Sequence, residues 1–89
     1  MRFAPGRIVA TPEALAAMEE AGISPSSLLL RHLNGDWGDL SPEDRAENEL
    51  SVREGYRVLS SYLLSTGQKI WLITEASREL TTFLRPDQY

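Results

Sequence analysis

The sequence contains a single histidine, His32, which lies shortly before three aspartates. Imidazole and carboxylate groups are the side chains that hold divalent metals or transfer protons. One imidazole followed by Asp36, Asp39 and Asp44 matches no strong spacing of metal ligands, so we expect no metal here. We interpret His32 instead as a structural residue that hydrogen-bonds the 35–39 loop, because a buried imidazole needs polar partners.

A second set of polar residues offers a different chemistry. His32, Arg57 and Arg78 would supply a base and two phosphate-binding groups, as metal-independent RNA cleavage requires. Helices followed by an antiparallel meander also resemble the layout of barnase- and RelE-like ribonucleases, a likeness of fold alone. Those enzymes need an electropositive groove, whereas this chain is acidic. Catalysis by these three residues is therefore the alternative, and we favour a protein with no catalytic residue and no cofactor.

The net charge of −4 is unevenly distributed along the 89 residues. The segment from Glu13 to Glu54 holds ten acidic residues and three arginines, whereas Gly55 to Tyr89 holds four basic and three acidic residues. An acidic surface repels a nucleic-acid backbone, so direct DNA binding is not expected. Two interpretations stay open: a solvated helical surface that aids solubility, or a surface shaped for a basic partner.

Three helices are predicted in this acidic part, each from the same starting signal. Thr11, Ser24 and Ser41 can each cap a helix, and each is followed by a proline, which suits the first helical position. The ends are marked by residues that tolerate the left-handed conformation: Gly22, Asn34-Gly35 and Gly55.

Three strands are predicted after the helices, over Arg57–Leu64, Lys69–Glu75 and Thr81–Arg85. Arg7–Ala10 would add a fourth strand at an edge. We predict one α+β domain spanning residues 1–89, with two to three N-terminal helices packed on a three- to four-stranded antiparallel β-meander. The central strand is apolar on both faces, so either the helices wrap the sheet or one face is a contact surface.

Trp37 lies between two glycines in an irregular loop after the second helix. Tryptophan is a common anchor at protein interfaces, but flanking glycines also suit close packing, and we favour a core position. Together with the acidic third helix, the loop makes up the predicted partner-binding surface, which comprises Asp36, Trp37, Asp39, Glu43, Asp44, Glu47 and Glu49.

The chain contains no cysteine and no apolar run of the roughly 20 residues that a membrane span needs. The first residues, Met1 to Gly6, are not apolar enough for a signal peptide. These features predict a cytoplasmic protein that does not bind membranes.

Several blocks together carry a resemblance that spans nearly the whole chain. They are Gly6–Pro12, Arg31–Leu40 with its Gly-Asp-Trp-Gly-Asp-Leu sequence, Ile70–Ala76, Thr81-Thr82 and Pro86–Tyr89. The chain resembles a family of small, largely uncharacterised proteins of bacterial plasmids, phages and other mobile elements. This resemblance implies a cytoplasmic accessory protein of mobile DNA, and it supplies no catalytic residues.

The leading functional hypothesis is a small, acidic, non-enzymatic protein-binding module of a mobile element. Its partner would be a basic nucleic-acid-binding protein, and binding would inhibit a host nucleic-acid-processing or defence system, as anti-restriction and anti-CRISPR proteins do. The alternatives are the ribonuclease described above and a structural homodimer formed through the spare sheet face.

Overall fold

Three helices precede a β-meander, and the N-terminal segment adds a strand to it. The computed structural model describes residues 1–89. In chain order the elements are β1 (Arg7–Ala10), α1 (Pro12–Glu20), α2 (Pro25–Leu33), α3 (Pro42–Glu54), β2 (Val58–Leu63), β3 (Lys69–Thr74), β4 (Leu80–Leu84) and a short 3₁₀ turn (Pro86–Gln88). The α+β class predicted from the sequence is confirmed.

The helices begin where the Ser/Thr-Pro pairs predict. The side chains of Thr11, Ser24 and Ser41 accept hydrogen bonds from the backbone N–H three residues ahead, so each start is capped. Gly55 ends α3 with φ of 80°, the left-handed conformation that glycine adopts without a Cβ clash.

The strand order across the sheet is β1-β4-β3-β2. The β2–β3 and β3–β4 pairs are antiparallel, as the meander predicts. The β1–β4 pair is parallel, with Arg7 opposite Leu80, so the prediction of a wholly antiparallel sheet is wrong at this edge. Parallel neighbours need a long connection, which the chain from Pro12 to Glu79 provides, and a four-residue strand carries no pattern that reveals its direction.

The main core lies between one face of the sheet and the first two helices. Ile70 and Leu72 of β3 and Phe83 of β4 pack with Met18 of α1 and Leu28 of α2, all essentially fully buried. Burying a side chain of this size contributes about 1.5–3 kcal/mol. This face fixes α1 and α2 and leaves the other face of the sheet to α3 and the C terminus.

The opposite face is only partly covered. Trp71 projects there and is half-buried. The ring of Tyr89, the last residue, lies edge-on to it at a centroid distance of 5.8 Å. The residues of α3 nearest the sheet approach this face beside Leu59 and Trp71, leaving a groove. None of the helices has both the length and the hydrophobicity that a membrane span requires.

Candidate functional site: an acidic helix beside a groove

The third helix is fixed against the outer edge of the sheet by a side-chain amide. Asn48 Nδ2 donates to the Leu59 carbonyl oxygen at 2.6 Å, and the Leu59 N–H donates to Asn48 Oδ1 at 3.2 Å. Two residues further along β2, Ser61 exchanges backbone hydrogen bonds with Trp37 and Asp39. Strand β2 therefore has no free edge at these positions, and α3 is held at a defined distance from the sheet.

The Trp37 side chain fills the space between the 35–39 loop and α3. It is 2% exposed, which confirms the prediction of a core position. Its indole Nε1 donates to Glu49 Oε2 at 3.0 Å, and its ring stacks on Phe3 at a centroid distance of 6.2 Å. Trp37 is thus the one member of the predicted partner-binding surface that lies in the core, where its indole supports the loop.

Glu49 is occupied by the N-terminal segment. Two guanidinium nitrogens of Arg2 donate to its two carboxylate oxygens at 2.6 and 2.9 Å. The hydrogen bonds from Arg2, and then that from Trp37, lower the pKa of Glu49 to about 2. The Glu49 charge is thus already compensated within the protein.

The two loop aspartates of the predicted surface are also paired. Arg31 Nε lies 2.6 Å from Asp36 Oδ2, and Lys69 Nζ lies 3.1 Å from Asp39 Oδ2. The hydrogen bond from Arg31 lowers the pKa of Asp36. These pairs are exposed and weak individually, but they neutralise most of the acidic character of the loop.

Three carboxylates of the predicted surface have no cationic partner. Glu43, Asp44 and Glu47 are exposed on α3, and none of the four ion pairs of the protein includes them. Glu43 and Asp44 lie in the first turn, where the helix dipole favours negative charge. Within the predicted surface, the unpaired carboxylates therefore form a short acidic stretch in the first half of α3.

A groove of about 340 Å³ lies directly beside this acidic stretch. Its wall on α3 consists of positions 44, 47, 48 and 51, which share one face of the helix, and its floor is formed by strand residues. Its lining comprises Leu40, Asp44, Glu47, Asn48, Ser51, Arg57, Leu59 and Trp71.

Arg57 closes the groove beside Trp71. Its guanidinium carbon lies 5.2 Å from the centroid of the Tyr89 ring, which in turn contacts Trp71. This is a cation–π arrangement, and Arg57 takes part in no ion pair. The groove therefore combines two free carboxylates with one free guanidinium around an apolar floor.

His32 is buried at the opposite side of the sheet from this groove. Its Nδ1 lies 2.6 Å from Ser60 Oγ and its Nε2 lies 2.9 Å from Thr74 Oγ1. Burial, and to a lesser degree the nearby charge of Arg78, lowers the pKa of His32 to about 4. The imidazole is structural, as expected, but its partners are strand hydroxyls and not the 35–39 loop.

The three residues of the ribonuclease alternative do not form an accessible site. Both ring nitrogens of His32 are hydrogen-bonded, and its exposure is 0%. The Arg78 guanidinium donates to the backbone carbonyls of Ser51, Tyr56 and Glu75. No base reaches a substrate from this arrangement, and Arg78 has little remaining capacity for a phosphate.

The aspartates near His32 do not gather around it. No group of three or more histidine and acidic side chains in the protein is arranged to hold a metal ion.

Comparison of the chain with models of known protein families, with curated proteins and with solved structures finds no match. The relation to mobile-element proteins therefore remains a prediction from the quoted sequence blocks.

The groove itself is absent from the predicted partner-binding surface, which included only Asp44 and Glu47 of its lining. A signal for its wall is present in the sequence, because Asp44, Glu47, Asn48 and Ser51 recur at helical spacing. That spacing resembles an ordinary polar helix face until the position of β2 is known. The floor is formed by Leu59 and Trp71, which are separated in the sequence and come together only in the folded sheet, so the sequence alone could not predict it.

Proposed function

We propose that the protein is a non-enzymatic protein-binding module that uses the exposed acidic stretch of α3 to bind a basic surface of another protein. The observation that carries this proposal is the contrast among the acidic residues. Asp36, Asp39 and Glu49 are paired within the protein, whereas Glu43, Asp44 and Glu47 are exposed without a cation. Unpaired charges of one sign favour association with the opposite sign and raise its rate.

The position of these residues also supports binding. Asn48 and the Trp37 loop hold α3 rigidly against the sheet, so little order has to be gained when a partner binds. Preorganised surfaces lose less conformational entropy on association than flexible ones. The apolar floor of the adjacent groove adds contact area that a purely charged helix would lack.

The class of partner follows from the charge and from the resemblance to mobile-element proteins. A basic surface exposed in a cell is commonly one that binds nucleic acid. We therefore propose a nucleic-acid-processing or defence protein of the host as the target, blocked at its basic site by competition.

The test compares capture of proteins from a bacterial lysate by the wild-type chain and by a variant with the acidic stretch neutralised, E43Q/D44N/E47Q. We expect the wild type to retain a nucleic-acid-binding protein at about 50 mM salt and to lose it at about 500 mM, because exposed charges are screened over a few ångströms at high salt. The variant should retain much less of it.

A matched control variant distinguishes an effect of this particular surface from an effect of the protein's net charge. The variant E19Q/E54Q/E75Q also loses three exposed carboxylates that take part in no ion pair. Equal loss of the captured protein in both variants would indicate a nonspecific charge effect. Equal retention by all three proteins would contradict the acidic-surface proposal.

A further inference from the structure

One wall of the groove presents three hydrogen-bond acceptors in a row. Asp44, Glu47 and Ser51 occupy positions i, i+3 and i+7 of α3, so they lie along one helix face over roughly 10 Å. Two of them are carboxylates without a cationic partner. A row of acceptors with two negative charges suits a ligand that carries several N–H donors and a positive charge.

Ser51 provides independent evidence that the groove is built for a polar ligand. The residue is 6% exposed, and its hydroxyl forms none of the side-chain hydrogen bonds of the protein. No fully buried side-chain nitrogen or oxygen atom is left without a partner. The Ser51 hydroxyl therefore keeps some exposure, and because Ser51 lines the groove, we take this hydroxyl as an acceptor available to a ligand there.

The floor and the far end of the groove narrow the choice of ligand. Leu59 and Trp71 form an apolar floor on which an aliphatic chain or a flat polar group can lie. Arg57, held over the Tyr89 ring, stands at the Trp71 side. Two carboxylates outnumber this one guanidinium, so the groove as a whole favours a cation.

We infer that the groove binds an arginine side chain presented by the partner protein, an inference that rests on the proposed function and names the contact it uses. The methylene groups of the arginine lie along Leu59 and Trp71. Its guanidinium donates to Glu47 and Ser51, which lie one turn apart on α3, and Asp44 adds a second negative charge at the outer end of the row. A guanidinium suits this row better than an ammonium group, because its five donors are spread over a plane and it stacks on aromatic rings.

The test uses N-acetyl-arginine amide as the probe and NMR detection on the folded protein. The protein has two tryptophans, and Trp71 lines the groove while Trp37 is buried beneath the loop. We expect saturable shifts of the Trp71 indole N–H and the Ser51 amide, with the Trp37 indole unmoved. N-acetyl-citrulline amide, which has the same shape without the charge, should bind at least about fivefold more weakly.

Variants of the α3 wall and of Arg57 should change the affinity for the arginine probe in opposite directions. D44N/E47Q should weaken binding of the arginine probe about fivefold, whereas R57Q should strengthen it about twofold because it removes a like charge. The variant E19Q/E54Q removes two carboxylates outside the groove and should leave the affinity unchanged.

The outcomes distinguish this inference from the proposed function. Equal shifts with the arginine and citrulline probes, or equal weakening by D44N/E47Q and E19Q/E54Q, would overturn the arginine site. Partner capture that still depends on the acidic stretch would then leave the proposed function standing. A third outcome is saturable binding of the arginine probe at the groove, together with partner capture that does not depend on the acidic stretch. That outcome would support the arginine site and contradict the proposed function.

Discussion

His32 Nε2 donates a hydrogen bond to Thr74 Oγ1 across a distance of 2.9 Å, and the direction of this bond is fixed by its neighbours. Thr81 Oγ1 donates to the Pro5 carbonyl, which can only accept. Thr74 must then donate to Thr81, at 2.7 Å, and accept from the imidazole. The imidazole is neutral because its pKa is lowered to about 4, and its one proton is on Nε2, so Nδ1 at the other end accepts from the Ser60 hydroxyl.

This network predicts a loss of stability in mild acid. The folded pKa of His32 is lowered to about 4, below the value of about 6.5 expected in the unfolded chain. As the pH falls below that unfolded value, the unfolded state takes up a proton that the folded state cannot, so folding is disfavoured. We expect the free energy of unfolding to fall by about 2 kcal/mol between about pH 7 and about pH 5.

Urea denaturation at several pH values measures this effect, with His32→Gln as the control. The variant is expected to be less stable at neutral pH, but its stability should depend much less on pH in this range, because the titrating group is gone. The carboxylate of Glu49, whose pKa is about 2, does not contribute in this window. Equal pH dependence of both proteins would contradict the burial of a neutral His32.

The Arg2–Glu49 pair predicts a second measurable effect. Glu49→Ala removes the acceptor of both Arg2 and the Trp37 indole N–H, leaving a buried donor without a partner. We expect a loss of about 1–2 kcal/mol in the free energy of unfolding. Glu47→Ala, on the same helix but without an ion pair, controls for helix propensity and should change stability by less than about 0.5 kcal/mol. Equal effects in chemical denaturation would exclude a structural role of the Glu49 contacts.

The local signals in the sequence predict the elements well. The Ser/Thr-Pro starts place all three helices correctly because capping depends on the next three residues alone. The strands follow from β-branched and aromatic residues, and they match the predicted ranges to within a residue or two.

The relations between distant residues could not be predicted in the same way. The contact of His32 with Ser60 and Thr74 arises because α2 lies across the sheet, a fact that no spacing near His32 encodes. The pairing of Asp39 with Lys69 likewise depends on the loop lying beside β2 at Ser61 and on the pairing of β2 with β3. Composition counts charges without their partners, so it does not distinguish the paired Asp36, Asp39 and Glu49 from the unpaired acidic residues of α3.

The amide of Asn48 predicts a role in protecting the sheet edge. Asn48→Ala removes both hydrogen bonds to the Leu59 backbone and leaves those groups facing α3. We expect a loss of about 1–3 kcal/mol in stability, together with faster hydrogen exchange of the Leu59 amide. The Ser61 amide, which donates to the Trp37 carbonyl, should retain more protection and serves as the internal control. Unchanged exchange at Leu59 would contradict the role assigned to Asn48.

Two glycines with similar backbone conformations predict very different costs of substitution. Gly38 has φ of 77° and Gly22 has φ of 68°, so alanine is strained at both. A Cβ at Gly22 would meet nothing within 4 Å, whereas at Gly38 it would approach the Ser61 carbonyl oxygen to 2.1 Å. The loop cannot yield easily there, because its backbone is hydrogen-bonded to Ser61 on both sides.

Gly22→Ala should therefore lower the free energy of unfolding by about 1 kcal/mol, which is the cost of the left-handed conformation alone. Gly38→Ala should lower the free energy of unfolding by more than about 3 kcal/mol, because the loop must separate from β2 and the Trp37 side chain must move with the loop. Thermal and urea denaturation of the two variants measure the difference. Similar values for both would mean that the 37–39 loop is not held against β2, and the acidic helix would then lack the rigid support on which the binding proposal depends.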